Sequence, residues 1–350
     1  MRRFKFIRNP DHALAAAGVE GLLRGLGGPT CLFFEGSDPS RTRALVTLLH
    51  GNEPSGAIAL TRWMQQNRRP QVNVLCVLAS VHAALEEPVF THRMLPRARD
   101  LNRCFRPPFD DEQGHLAEEI LAILELHKPE CVIDMHNTSG TSPAFAIATE
   151  TPPLKCRLTQ LFANQLLLMD ISMGSLLEHD SPAMPVVTVE VGGRAQEAAH
   201  ACALAGLEQY FHVDQFEDLP APQNPLDVMH HPLRLELLDG VTLVYDGAPR
   251  AGFDVTLLED LEQHNFGTVA AGTLLGWCSA DPRSLFRARD ATGQCALSAL
   301  VEAGSGELRA AQDLQLMMIT NNAAIAESDC LFYAVASNGD RIDAVDRIHG

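Results

Sequence analysis

Up to about residue 215, short unbroken apolar runs alternate with stretches in which apolar residues recur at helical spacing. A short run apolar throughout marks a strand covered on both faces, and helical stretches between such runs supply the crossovers of a parallel sheet. This pattern predicts strands at 31–35, 43–49, 72–79, 131–135, 144–148 and 185–191, and helices at 12–25, 54–68, 113–127, 154–167 and 194–211. The proline-rich stretch FEDLPAPQNPLD, 216–227, reads as a linker. Beyond it, short apolar runs such as GVTLVYDG, GTLLGWCS and LQLMMIT stand between Gly, Asp, Asn and Pro, the texture of a β-rich unit. The expected fold is α/β: a mainly parallel, mixed sheet flanked by helices over residues 1–220, followed by a smaller β-rich domain over 221–350.

Two of the predicted strands end in polar clusters. In LVTLLHGNEPSG, residues 45–56, the apolar run opens into His50, and Glu53 follows where a helix with Pro54 in its first turn begins. In CVIDMHNTSG, a short buried run delivers Asp134, His136 and Asn137. Ligands of open α/β sheets gather outside the carboxyl ends of strands, so two such ends can bring His50, Glu53 and His136 together. Two imidazoles and one carboxylate match the ligand count of a catalytic zinc site, one ion per chain, with a fourth position left for water. Asp134 lies on the same side of its strand as His136 and is placed to orient a ligand imidazole, with Asn137 beside it in the same outer layer.

In MPVVTVEVGG, Glu190 sits inside a valine-rich run, where an ionised carboxylate is costly unless it has a partner or a task. Beside a metal-activated water it could take a proton and pass it to a leaving amine. In DLNRCF, Asn102 and Arg103 offer an amide and a planar fork suited to a substrate carboxylate. Singly, each residue has an ordinary explanation. A lone histidine among fourteen is usually a surface or core residue, and Asp100 with Arg103 reads as a local ion pair. His92, His115, His179, His200, His230 and His231 stand at no strand end with a carboxylate at ligand spacing.

The formal net charge of −17 works against nucleic acid or an anionic membrane surface as partner. No window approaches membrane-spanning length, and the basic start MRRFKFIRNPDHA lacks a following apolar stretch, so the protein reads as cytosolic. The nine cysteines, odd in number and without a C-x-x-C pair, argue against a disulfide framework and a thiolate zinc site. Against the acidic background, Arg93, Arg97, Arg99, Arg103 and Arg106 form a local basic segment that suggests a small anionic ligand.

HGNE, DLNRCF, DMHNTS and VEVGG, in this order, resemble the succinylglutamate desuccinylase and aspartoacylase family of zinc carboxypeptidase-like hydrolases. The resemblance implies that His50, Glu53 and His136 bind zinc and that Glu190 is general base and acid. It also implies that Asn102 and Arg103 contact the substrate carboxylate, and Arg93 is similar in placement to a further arginine upstream of that motif. The family fold is a carboxypeptidase-like α/β domain whose site is narrowed by a β-rich C-terminal domain. Two departures stand out: EHDSPAMP has no arginine where aspartoacylases carry one, and TNNAAIAESD has no tyrosine. They point towards a different acyl or amino-acid portion from that of N-acetylaspartate. The expected function is zinc-dependent hydrolysis of the amide bond of a small anionic N-acyl amino acid. The alternatives are a metallocarboxypeptidase acting on short peptides and a non-catalytic zinc-binding protein on the same fold. Self-association into a homo-oligomer stays open.

Overall fold

The computed structural model describes residues 3–169, 173–220, 224–290, 294–304, 306–328, 330–336 and 341–342. The apolar runs of the first part form β1 (Lys5–Arg8), β2 (Thr30–Phe34), β3 (Asp38–Thr47), β4 (Val72–Leu78), β5 (Val132–Thr138), β6 (Phe145–Ala148), β7 (Gln165–Leu168), β8 (Val186–Gly193) and β9 (Leu226–His230). With Arg341–Ile342 at one edge they make a ten-stranded mixed sheet in the order β1-β2-β4-β3-β5-β8-β6-β7-β9. The centre is parallel: β4, β3, β5 and β8 run the same way, so their carboxyl ends open on one side of the molecule.

Side chains alternate across this sheet, as the strand period requires. Leu45, Val74, Cys76, Ile133 and Val187 face α1 (Gly18–Leu26), α2 (Ser55–Gln65) and α3 (Glu197–His212), packing against Leu22, Leu60, Trp63, Leu207 and Phe211. Ala44, Val46, Leu75, Val77 and Val132 point the other way, onto Leu116, Ile120 and Leu124 of a long helix, Glu112–His127. The chain therefore reads as an α/β fold with helices on both faces.

The structure redraws some predicted boundaries. The helix expected over 154–167 stops at Gln160, and Gln165–Leu168 is a buried strand. A run as short as QLLL carries no period of its own, and here burial on both faces decides for strand. Residues 12–25 split into a 3-10 turn and α1, separated near Gly18, whose φ of 75° no helix interior accepts. Of the expected linker, Phe216–Asp218 forms a 3-10 turn and Leu226 begins β9, while residues 221–223 lie outside the described residues. Among the described residues no helix is long and apolar enough to cross a membrane.

Between Leu233 and Ala336 the strands form two five-stranded sheets. One orders Gly267–Val269, Leu314–Met317, Phe332–Ala336, Leu233–Leu237 and Phe286–Arg289; the other contains GTLLGWCS as Leu274–Cys278 and GVTLVYDG as Leu243–Tyr245. Their facing residues, among them Leu235, Leu257, Leu275, Leu308 and Phe332, make a separate core. Met317 and Tyr333 of the first sheet instead join the cluster around Val132 and Phe145, on the face of the large sheet where the polar residues converge.

β3, which leads to His50, is anchored by Arg43. This side chain is fully buried and donates to Glu130 at 2.6 Å and to the carbonyls of Tyr210, Val213 and Asp214 at 2.7, 2.8 and 2.7 Å. These carbonyls lie at the end of α3, where intrahelical donors run out. Arg43→Ala removes their donors and leaves the Glu130 carboxylate without this partner. It is expected to lower stability by roughly 3–5 kcal/mol in chemical denaturation; a loss below about 1 kcal/mol would show that the anchor is not needed.

Candidate active site

Register places the polar residues. β5 and β8 are parallel neighbours, pairing Asp134 with Thr188 and His136 with Glu190. Paired residues on adjacent strands face the same side, so this face turns from Val132 and Val186 to a polar cluster towards the strands' carboxyl ends. On the neighbouring β3 the chain leaves the sheet through Leu48, held in the left-handed region at φ 54°. A side chain at Gly51 would put its Cβ 2.5 Å from the Ala84 nitrogen, so only glycine lets the turn pass this close to the helix Val81–Leu85. The turn brings His50 and Glu53 over the end of β5 before α2 begins at Ser55.

His50, Glu53 and His136 are all buried, and one ligand atom of each lies within 4.8 Å of the others. The Glu53 carboxylate stands between the rings, with Oε1 2.9 Å from His50 Nδ1 and Oε2 2.7 Å from His136 Nδ1. Each imidazole turns its other nitrogen to an aspartate: His50 Nε2 lies 2.8 Å from Asp100 and His136 Nε2 2.9 Å from Asp134. The second approach has ion-pair distance without hydrogen-bond alignment, since both atoms lack a hydrogen-bond partner. Burial would raise the Glu53 carboxyl, but the two histidines outweigh it and hold the group well below the usual range. Two ring nitrogens and a carboxylate converging in a dry place are the donor set of a borderline divalent cation, and the outer aspartates fix the rings so that Nδ1 faces inward. The three residues could therefore hold a metal ion.

Glu190, paired with His136 across the strands, faces the same cavity. Its Oε2 is buried with no hydrogen-bond partner, and burial pushes its carboxyl up to about 7. Asn137 faces away from the ring contacts: its Nδ2 donates to Ser55 Oγ at 2.7 Å and to the Gly192 carbonyl at 2.8 Å, while Oδ1 accepts from the Ser55 amide. Ser55 Oγ in turn lies 2.8 Å from His200 Nδ1, which brings a histidine left unassigned by spacing into the support of this cluster.

The arginine segment divides. Arg93 binds Asp100 through two nitrogens, at 2.8 and 3.0 Å, and lies 3.4 Å from Glu53. Arg99 pairs with Asp111, so it belongs to a surface contact. Arg93 and Arg103 line the cavity, which measures about 150 Å³; Arg97, Arg99 and Arg106 do not. Asn102 accepts from the Leu176 amide at 3.0 Å and also lines the cavity. Asp100 is the residue that sequence reasoning missed. Its spacing suggested an ion pair with Arg103, whereas the structure turns it onto His50 and Arg93. The one available signal was its place at the head of DLNR, where it caps the short turn Leu101–Arg103. The cavity wall from Met318 to Thr320 was equally unmarked, because only long-range packing brings it here.

Fold and site together define an α/β protein with a candidate metal centre at the carboxyl ends of parallel strands. Residues 39–209 match the family model of the succinylglutamate desuccinylase/aspartoacylase catalytic domain, so this part of the chain belongs to that family. Among solved structures, a succinylglutamate desuccinylase/aspartoacylase from Rhodobacter sphaeroides is 16% identical, with a TM-score of 0.53 over 90% of this chain and 87% of its own. Murine aminoacylase 3 is 17% identical, with a TM-score of 0.51 over 85% and 96%. A putative succinylglutamate desuccinylase/aspartoacylase from Shewanella frigidimarina is 12% identical, with a TM-score of 0.54 over 88% and 92%. At such identities the likeness is one of fold. No curated protein matches the chain by sequence.

The contact between Asp100 and His50 carries its own test. If His50, Glu53 and His136 hold a zinc ion, Asp100→Ala is expected to weaken its binding about 10–100-fold, measured by competition with a chromogenic chelator. Unchanged affinity would separate Asp100 from the centre.

Proposed function

We propose that this protein is a zinc-dependent amidohydrolase that removes the acyl group from a small N-acyl amino acid. The observation that carries the reading is the unpartnered, buried Oε2 of Glu190 beside a converging His50, Glu53 and His136. Those three residues would hold the ion, one per chain. Zinc bound there supplies a Lewis acid that polarises a carbonyl and lowers the pKa of water.

The chain's own groups do the rest. Glu190, with its carboxyl lifted towards neutrality by burial, accepts a proton from the attacking water at Oε2 and returns it to the departing amide nitrogen. The products are a carboxylic acid and a free amine. Asp100 and Asp134 keep the imidazoles turned inward. Arg103 grips the substrate carboxylate with Asn102 beside it, and Arg93, held by Asp100, adds positive charge at the same mouth. In this reading residues 1–220 are the catalytic domain and 221–350 a β-rich domain that narrows the entrance with Asn265, Met318 and Thr320.

Purified full-length protein is expected to carry about one zinc per chain, in line with a single three-ligand site, and to hydrolyse members of a panel of acetyl, succinyl and formyl amino acids. Glu190→Gln should lower kcat about 10²- to 10⁴-fold while zinc remains bound; an unchanged rate removes Glu190 from the chemistry. Release of C-terminal residues from unblocked peptides, with acyl amino acids untouched, would make the protein a carboxypeptidase instead. Arg103→Ala should raise KM for carboxylate substrates far more than for their carboxamides. Equal effects on both would contradict its role.

A further inference from the structure

The cavity joins two unlike surfaces. Around the candidate centre it is charged; the remaining lining is uncharged, with Ile147, Met169, Met173, Leu177, Met318 and Ile319 apolar and Ser139, Ser142, Ser175, Thr188 and Thr320 bringing hydroxyls. Cations are scarce there. Among the described residues only Arg93 and Arg103 bring a permanent positive charge to the lining, and the Arg93 fork is engaged by Asp100. Arg103 makes no ion pair among the described residues; its Nη1 donates to the Asn102 carbonyl at 2.9 Å. Lys155 does not serve this cavity; it is buried elsewhere against Asp180. One guanidinium can neutralise one carboxylate. A second carboxylate on the substrate would meet only neutral groups there, hydroxyls, thioethers and methyls, where an unpaired charge is costly.

The apolar wall is held in place. Met318 occupies the left-handed region at φ 57°, a conformation that costs a non-glycine residue free energy and persists only where the surroundings fix it. What fixes it is the Asn265 amide. Its Oδ1 accepts from the Ile319 nitrogen at 2.9 Å, and its Nδ2 donates to the carbonyls of Ile319 and Thr141 at 3.2 and 3.0 Å. Glu262 adds a bond to the Thr141 amide. The β-rich part thus clamps its wall to the loop that follows β5, within the same cavity. Three of the wall residues are methionines, whose unbranched, polarisable side chains accommodate varied shapes.

We propose that the substrate carries a single carboxylate and an uncharged apolar substituent, the first held by Arg103 and the second by the Met169, Met173 and Met318 wall. The ligand class is N-acyl derivatives of aliphatic and aromatic amino acids, accepted with little discrimination among them. This rests on the deacylase reading, and the test separates the two.

Zinc-loaded full-length protein is assayed on N-acetyl-leucine, N-acetyl-methionine, N-acetyl-phenylalanine, N-acetylaspartate and N-acetylglutamate. The apolar substrates are expected to lead in kcat/KM by about tenfold or more. Acidic substrates turned over equally well or better overturn the proposal and leave the deacylase reading intact. If nothing is hydrolysed, the deacylase reading falls, and calorimetric binding to the Glu190→Gln protein still decides the pocket's selectivity. Tighter binding of N-acetyl-leucine than N-acetylaspartate supports the wall, and the reverse order or no binding of either overturns it. Met173→Arg, which sets a cation into the wall, is expected to cut the apolar-to-acidic ratio about tenfold. In a folded variant an unchanged ratio overturns the assignment of the wall.

Discussion

The arrangement turns on one buried carboxylate. Glu53 is buried between two imidazole nitrogens at 2.9 and 2.7 Å. A charge so placed is expensive unless everything around it is arranged for it. Much of the molecule serves that arrangement. Parallel pairing of β3 with β5 brings the two histidines to one edge, and the left-handed Leu48 with the tight turn at Gly51 folds Glu53 back over it. Arg43 ties β3 to the end of α3, so the strand that leads to His50 is secured from behind.

Around this centre the charges are layered. Asp100 and Asp134 sit outside the imidazoles, and Arg93 sits outside Asp100. Burial works against ionising Asp100, yet His50 and Arg93 outweigh it and keep its carboxyl well below the usual range. Glu190 is the exception. It has the burial without the compensating bond, and its carboxyl is pushed up rather than down. Two glutamates in one cavity thus have carboxyls displaced in opposite directions, Glu53 downward and Glu190 upward.

What could be read from the sequence follows from how local each feature is. Strands β2, β3, β4, β5, β6 and β8 were visible because they are apolar runs with turn residues after them, and His50, Glu53, His136 and Glu190 because they interrupt or end such runs. β7 was hidden: four residues directly after a helix cannot show a period. β1 was missed because its mostly exposed residues form no apolar run. Asp100 was misassigned because the partner that matters is fifty residues away and is reached only by the path of a loop. The arginine segment looked like one basic patch, yet its members face different ways once the chain is folded. The Met318 wall and its Asn265 clamp belong to tertiary packing between distant parts of the chain, which no local pattern records.

The most direct test of the account is a crystal structure of the purified protein with data collected on both sides of the zinc absorption edge. The account predicts one anomalous peak per chain, about 2.0–2.2 Å from His50 Nδ1, His136 Nδ1 and a Glu53 oxygen, with the Glu190 carboxylate facing its open side. No peak at that position, or rings turned so that Nε2 rather than Nδ1 points inward, would contradict it.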